Sequence, residues 1–451
     1  MNQNREMAHA IAALTAKKSG KTYYVGGYVR DKLRAKENKD MDIEIHGISP
    51  EELEKILDQL GSRMEIGESF GIYRLKGYTL DIAMPRKETA TGQKHRDFKV
   101  LVDPYIGTYQ AAQRRDFTIN ALMQDVLTGE IIDHFHGVRD LQNGIIRHVN
   151  DQTFPEDPLR VLRAAQFAAR LNFSVAEETL SLCKNMDLRT LSKERVEAEL
   201  EKALMQAEKP SVFFEVLRKM QQLSVWFPEV EQLIGIPQNP RYHAEGDVWA
   251  HTMMVLDEAA KYRRKTKHPL GFMLTALVHD FGKIVCTETI NGTIHAYQHE
   301  QKGLPLIRTF LHRITNQKKV IHYVLNLSEL HMKPNRLAAD QASVKATNKL
   351  FDQAAEPLDL IYIALADSNG RITSDMHPSA HEFLMKRLAL YHEMMNRPYV
   401  TGKDLMEAGL TPDRNFSEIL SYAHKLRLAG IEKDAAYKQT LAYAKKLSKT
   451  I

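Results

Sequence analysis

This chain has little that would staple, secrete or insert it. Only two cysteines occur in 451 residues, Cys183 and Cys286, far apart and without CxxC spacing. That excludes a disulfide framework and fits a reducing compartment. No apolar run is expected to reach the length of a membrane span. The first residues, MNQNREMAHAIAALTAKK, read as an amphipathic helix and not as a signal peptide, so the expectation is a cytoplasmic protein without a membrane partner. Charge of one sign is also scarce: Lys+Arg of 62 against Asp+Glu of 57 leaves a net +5. That is too mild to demonstrate a polyanionic partner, although a local basic face remains open. Internal repeats and low-complexity segments are missing. With 43% hydrophobic and 26% charged residues, the composition is that of an ordinary globular chain, long enough for two to four domains.

What is present concentrates first between Gly26 and Asp42. A short apolar strand, Tyr23-Tyr24-Val25, runs into the pair Gly26-Gly27, and a helical YVRDKLRAK carries Arg30. A second strand then begins at Asp40-Met41-Asp42. Side chains at i and i+2 of a strand share a face, so Asp40 and Asp42 project together while Met41 and Ile43 enter the core. Two adjacent carboxylates repel unless a cation lies between them, and hard oxygen ligands favour Mg2+. Glycines let backbone N–H groups approach a triphosphate closely, and Arg30 offers a fork for a phosphate oxygen. A GG pair or a DxD alone is more often an ordinary turn or a solvated strand end. Their order within one strand-helix-strand unit points to metal-dependent nucleotidyl transfer. Asp81, in the alternating run Tyr78–Ala83, is the candidate third carboxylate.

GGYVRD followed by DMDIEI resembles the first motif of the class II tRNA nucleotidyltransferase and bacterial poly(A) polymerase family. RRDFTINAL, expected to be a helix with Phe117, Ile119, Ala121 and Leu122 facing inward, is similar to a later motif of that family. The resemblance implies phosphate contacts for Arg114 and ribose contacts for Asp116 and Asn120. EDPLR is similar to the family's base-reading motif, which implies nucleotide contacts for Glu156, Asp157, Arg160 and, one turn on, Arg163. Taken by spacing, Glu156, Asp157 and Arg160 belong on one face of a helix, where an intrahelical ion pair is the plain alternative. Cytosine and adenine each show an amine beside a ring-nitrogen acceptor, so a carboxylate and a guanidinium accept both bases and reject uracil and guanine. The polar stretch 84–99 reads as a surface loop; in the resembled enzymes a flexible loop there accompanies completion of the terminal adenosine. A β-hairpin is expected at GEIIDHFHG.

A second centre is expected after the junction 235–240. His251, His279-Asp280 and Asp367 lie in apolar helical segments. A lone histidine there is usually a core residue, but the order H…HD…D resembles the HD-superfamily phosphohydrolases. The resemblance implies a divalent metal (Ni2+, Mn2+, Co2+ or Mg2+) whose bound water attacks a phosphate ester. Lys283 is placed to steady a phosphate, and His299 and His331, with His295 as a weaker third, are candidates for a second metal.

The expected fold is α+β: a polymerase-β-like head at 1–150 with a mixed sheet, a helical RNA-binding neck at 151–234, an HD-like helical domain at 235–395 and a helical C-terminal region at 396–451. The resemblance implies addition of CMP and AMP from CTP and ATP to tRNA 3′ ends. A poly(A) polymerase shares every head motif, and an HD phosphohydrolase with an RNA-binding head is the rival from another class. The oligomeric state is not legible in the sequence.

Overall fold

The structure is a computed structural model that describes residues 2–36, 40–65, 72–90, 98–372, 379–412 and 414–447. The chain divides into two compact units, 1–207 with 212–226 and 208–211 with 227–451.

The first unit is built on a seven-stranded sheet. Its strands are β1 (Lys21–Val25), β2 (Met41–His46), β3 (Arg63–Glu65), β4 (Ile72–Leu75), β5 (Leu80–Ala83), β8 (Met123–Asp125) and β9 (Ile131–Ile132), in the order β3-β4-β5-β2-β1-β8-β9. A further hairpin, β6 (Arg86–Ala90) with β7 (Phe98–Val102), stands apart from it. β1 sits in the middle because KTYYV is buried at every position after Lys21, which is the pattern of a strand covered on both faces. β2 alternates as its sequence requires. Met41, Ile43 and Ile45 are buried apolar residues, so Asp42, Glu44 and His46 share the opposite face. β2 runs antiparallel to β1 and parallel to β5, and this second pairing sets Asp42 directly opposite Asp81. The helix Pro50–Leu60 begins with a capping box, in which Glu52 N–H donates to Ser49 Oγ (3.3 Å) and Ser49 N–H to Glu52 Oε2 (3.2 Å). That reciprocal pair satisfies two N–H groups with no helical partner.

Three expectations need correction. The stretch 84–99 is framed by the β6–β7 hairpin, with Thr89 opposite Lys99; only 91–97, the span between the strands, lies outside the described residues. RRDFTINAL is not an α-helix. The preceding helix, Gly107–Gln113, ends before Arg114, Phe117 is extended (φ −126°, ψ 149°), and Thr118–Asn120 form a single 3-10 turn. The cause is local: Asp116 Oδ1 takes the Phe117 N–H at 2.8 Å, a side-chain bond that competes with helical pairing. The four apolar residues of that motif are buried nonetheless. The hairpin forms between β8 and β9, one strand earlier than GEIIDHFHG suggests, and turns through Gly129 at φ +77°.

In the second unit the helices Val248–Ala260, Pro269–Val278, Lys318–Leu330 and Pro357–Asn369 carry the candidate ligands or end beside them. Against expectation, residues Pro269–Cys286 do reach the length and apolarity of a membrane span, with a mean hydropathy of 1.2 over 18 residues, but 72% of the stretch is buried within the fold. It is a core segment, interrupted between Val278 and Lys283. A small hairpin, Thr287–Ile290 with Thr293–Ala296, interrupts the helical pattern. Residues 399–447 pack around a cluster of their own, with Val400, Leu405, Ile419, Ala423 and Ala444 buried.

Candidate active site and candidate metal centre

In the first unit the sheet register builds a carboxylate group. Asp42 and Asp81 face each other across β2 and β5, and Asp40 precedes β2. Arg74 Nε holds Asp81 Oδ1 at 2.7 Å. The Asp42 carboxylate makes no hydrogen bond among the described residues. Burial first, and then the charges of Asp81 and Asp40, push its pKa above the usual range, while Arg115 and Arg74 pull it back. Asp42, with no hydrogen bond on its carboxylate among the described residues, and the flanking carboxylates of Asp40 and Asp81 form an oxygen donor set that fits Mg2+.

Glu44 lies two residues on, on the same strand face. Its oxygens are taken by His46 Nε2 (2.9 Å) and Arg115 Nη2 (3.2 Å). Burial pushes Glu44 up, but the His46 hydrogen bond and the Arg115 charge outweigh it and hold the carboxyl below its ordinary value. Gly26 has φ +65° and ψ −133°, which only glycine adopts without strain, and a Cβ there would meet Arg115 Nη1 at 3.2 Å. Arg115 therefore lies against the glycine turn, and its Nε is buried with no hydrogen-bond partner among the described residues. Arg115 and Glu44 are the residues that sequence reasoning missed. Glu44 was readable from the period of two, whereas nothing local separates Arg115 from Arg114.

Arg30 is 3% exposed and turned inward. It gives Nε and Nη2 to Asp31 (2.8 and 2.9 Å) and Nη1 to Asn120 Oδ1 (2.7 Å), and it lies over the Phe167 ring. Its guanidinium binds within the chain, so its place is beneath the glycine turn's helix. Asn120 in turn donates to Asp116 Oδ1 at 3.1 Å, and Arg163 donates to Asp116 Oδ2 from Nε (2.8 Å) and Nη2 (2.6 Å). Burial opposes ionisation of Asp116, but the Arg163 charge and the Asn120 hydrogen bond hold its carboxyl below the ordinary value. Arg30, Asn120, Asp116 and Arg163 thus form one connected network.

The EDPLR segment departs from its expected geometry. Phe154–Glu156 is a 3-10 turn, Asp157 is extended (φ −123°, ψ 102°), and the α-helix begins at Leu159. Glu156 and Asp157 therefore precede the helix and do not share a face with Arg160. The reason is Pro158, which disfavours helical backbone at the residue before it. Arg114 Nη2 binds Glu156 Oε2 at 3.0 Å, and Arg195 Nη2 binds both Asp157 oxygens at 2.9 and 3.1 Å. Arg160 donates to the backbone oxygens of Thr153 (2.7 Å) and Arg114 (2.8 Å). Arg195, distant in sequence, had no signal.

The second unit brings six predicted residues together. They fall in two groups of three with ligand atoms within 4.8 Å of one another, His251, His279 and Asp367, and Asp280, His299 and His331, all buried; a third such group joins His251 to His243 and Glu245. His295 falls outside all three. The Asp280 carboxylate joins the first two, with Oδ2 at 3.4 Å from His279 Nε2 and 3.6 Å from His251 Nε2, and Oδ1 at 3.2 Å from His299 Nε2. His279, His299 and His331 each direct Nδ1 at a backbone carbonyl, of Ala276 (2.9 Å), Ala296 (3.0 Å) and Ser328 (2.6 Å). A carbonyl only accepts, so Nδ1 carries the proton and Nε2 is left as a lone pair. His299 and His331 bring their Nε2 atoms to 3.2 Å, a contact that needs a proton or a metal ion between them. Burial opposes charge on His299, but the Asp280 hydrogen bond raises its pKa. His331 is pushed down to about 3 by burial and the neighbouring imidazoles. His279 Nε2 is buried without a hydrogen bond. Lys283 Nζ reaches Asp280 Oδ2 (2.7 Å) and Gln238 Oε1 (2.6 Å), and Arg371 clasps Asp367. Glu245 was not anticipated; it binds both His243 and His251.

Residues 22–147 match the family model "Poly A polymerase head domain", and 172–234 match "Probable RNA and SrmB- binding site of polymerase A". A relative from Actinobacillus pleuropneumoniae named "Multifunctional CCA protein" is 34% identical over 361 residues, which is 78% of this chain and 85% of the relative. Among solved structures, the Bacillus stearothermophilus CCA-adding enzyme in complex with CTP aligns with a TM-score of 0.68 at 21% identity, covering 100% of both chains. The Thermotoga maritima CCA-adding enzyme complexed with tRNA aligns at 0.63 and 19%, covering 98% of this chain and 95% of that one. The shared fold, the matched head and a relative that spans most of the sequence make this chain a member of the multifunctional CCA protein family.

Proposed function

We propose that this protein adds CMP and AMP from CTP and ATP to the 3′ end of tRNA without a nucleic-acid template. The observation that carries the reading is the register of β2 on β5, which sets Asp42 opposite Asp81 beside a glycine turn lined by Arg115. Asp40 and Asp42, with Asp81 flanking, would hold the divalent ion, Mg2+ by donor type, and that ion supplies the charge that activates the 3′-OH and neutralises pyrophosphate. Gly26 and Gly27 leave room for the triphosphate, and the buried, unpartnered Nε of Arg115 is a donor suited to its oxygens. The Arg30–Asn120–Asp116–Arg163 network fixes the floor on which the ribose would rest. Asp157 and Arg160, oriented by Arg195 and by backbone carbonyls, are suited to the amine and ring nitrogen shared by cytosine and adenine.

The four cluster histidines with Asp280 and Asp367 support a second activity, metal-dependent hydrolysis of a terminal phosphate or cyclic phosphodiester on RNA 3′ ends. His251, His279, Asp280 and Asp367 would hold one ion, and Asp280, His299 and His331 would hold a second. Ni2+, Mn2+, Co2+ and Mg2+ are the ions to test, and whichever binds supplies a water activated for attack. Lys283 is placed to meet a phosphate oxygen.

The test uses purified protein, tRNA ending at the discriminator base, and each labelled nucleoside triphosphate alone and combined. CTP alone should add, ATP should add only after CTP, and UTP and GTP should not. Long tails from ATP alone would make it a poly(A) polymerase, and no incorporation would remove the head's assignment. In parallel, Asp280→Ala should lose hydrolysis of terminal and cyclic phosphates while addition to an intact 3′-OH continues. Addition halted in a folded variant would mean that the two centres are coupled.

A further inference from the structure

Four imidazoles converge in the second unit, and three of them are oriented by backbone carbonyls. The reason lies in where they sit. His279 and His331 cap the C-termini of Pro269–Val278 and Lys318–Leu330, where the last carbonyls of a helix have no intrahelical partner. Ala276 and Ser328 supply such carbonyls at 2.9 and 2.6 Å. His299 follows a strand end, where Ala296 O is within 3.0 Å.

His251 has no such carbonyl. It lies in the first half of the helix Val248–Ala260, where the carbonyl three residues earlier is already spent on the helical ladder. Its Nδ1 needs an acceptor from outside the helix, and Glu245 provides one, with Oε1 at 3.1 Å. The Glu245 side chain is 1% exposed and engaged on every side. Oε1 also accepts from His243 Nδ1 at 2.7 Å, and Oε2 accepts the Ile372 N–H at 2.9 Å. Ile372 follows Arg371, whose Nε reaches Asp367 Oδ1 at 3.2 Å. One carboxylate thus fixes His251 and ties down the chain just beyond Asp367. A carboxylate only accepts, so Glu245 holds a proton on His251 Nδ1, and Nε2, 3.1 Å from Asp367 Oδ1 and 3.6 Å from Asp280 Oδ2, is the atom that a metal ion shared with those carboxylates would take.

We infer that Glu245 is a positioning residue of this centre, setting the tautomer and orientation with which His251 binds metal. The inference rests on the reading of the cluster as a metal site. Carboxylates behind ligating histidines typically contribute ten- to a hundredfold to metal affinity.

The test is Mn2+ titration of the full-length chain, followed by electron paramagnetic resonance, with Asp280→Ala identifying which bound Mn2+ belongs to this cluster. Glu245→Gln keeps the side chain's size but removes its charge and offers one acceptor oxygen in place of two. It should weaken the Asp280-dependent site about ten- to a hundredfold, while the thermal midpoint in EDTA and the rate of nucleotide addition stay at wild-type values. Wild-type affinity in Glu245→Gln overturns the inference and leaves the metal site standing. Weakened affinity together with a fall in the EDTA midpoint makes Glu245 a structural residue and overturns it as well. No Asp280-dependent Mn2+ in the wild type removes the metal reading, and the inference falls with it.

Discussion

Replacing Asp42 by Asn separates a carboxylate kept for chemistry from one kept for the fold. Neighbouring strands lie about 4.8 Å apart, so the carboxylates of Asp42 and Asp81, directly opposite in register, repel by about 3 kcal/mol at an effective dielectric of 20, and by about 1 kcal/mol in water. Arg74 and Arg115 offset part of this. The net relief on neutralising Asp42 is then about 1 kcal/mol, which for a unit of this size raises the midpoint by roughly 2–4 °C in EDTA. Mg2+ should raise the wild-type midpoint, because it binds only the folded state, and should do so less in the variant. Nucleotide addition should fall at least about a thousandfold, equivalent to about 4 kcal/mol of lost transition-state stabilisation. The assays are differential scanning calorimetry with and without Mg2+ and single-turnover CMP addition. An EDTA midpoint lowered by several degrees would show that Asp42 is structural, and addition at the wild-type rate would remove it from the site.

Two further substitutions probe other links. Asp157→Ala should raise incorporation of UTP and GTP relative to CTP by about tenfold or more, since one good polar contact to a base discriminates by about 1–3 kcal/mol; a ratio of labelled products at the parental level refutes the base-reading role. Glu229→Ala strips Arg313 of a carboxylate that it grips through both nitrogens, at 2.6 and 2.7 Å, with Glu229 only 4% exposed; urea denaturation should show a loss of about 3 kcal/mol, and a change below about 1 kcal/mol would mean that water replaces the pair.

The parts legible in the sequence are those written in local periods. A period of two placed Asp42 on the polar face of β2, with Asp40 just before the strand, and the apolar runs around His251, His279 and Asp367 did become core helices. The helix Pro50–Leu60 likewise starts on a local signal, the Ser49–Glu52 capping pair. What escaped was decided by turns and long-range partners. The Asp116 side chain unwound a segment whose apolar spacing reads as helix, and Pro158 kept Asp157 out of the helix, a signal that was present and outweighed by spacing. Arg30 reads as a phosphate ligand by its place after a glycine turn, yet Asn120, ninety positions along, takes it inward. Arg195 and Glu245 act on residues 38 and six positions away through contacts that no local pattern encodes.

The same strand shows how the fold confines its metal chemistry. Asp42 and Glu44 both project from one face of β2, so side-chain period alone makes them equivalent ligands. They are not equivalent, because Glu44 is closed off by His46 at 2.9 Å and by Arg115 at 3.2 Å, while the Asp42 carboxylate lies opposite Asp81 and makes no hydrogen bond among the described residues. A cation drawn to this face would meet the charges of Asp40, Asp42 and Asp81 first and would have to displace an arginine to go further. An ion bound there would lie at the start of the strand, beside Asp40 and Asp81, and Arg115 stays beside the glycine turn with its Nε in no hydrogen bond among the described residues. A cation there and the Arg115 guanidinium, held by Glu44 at 3.2 Å, would flank the space where a triphosphate would enter.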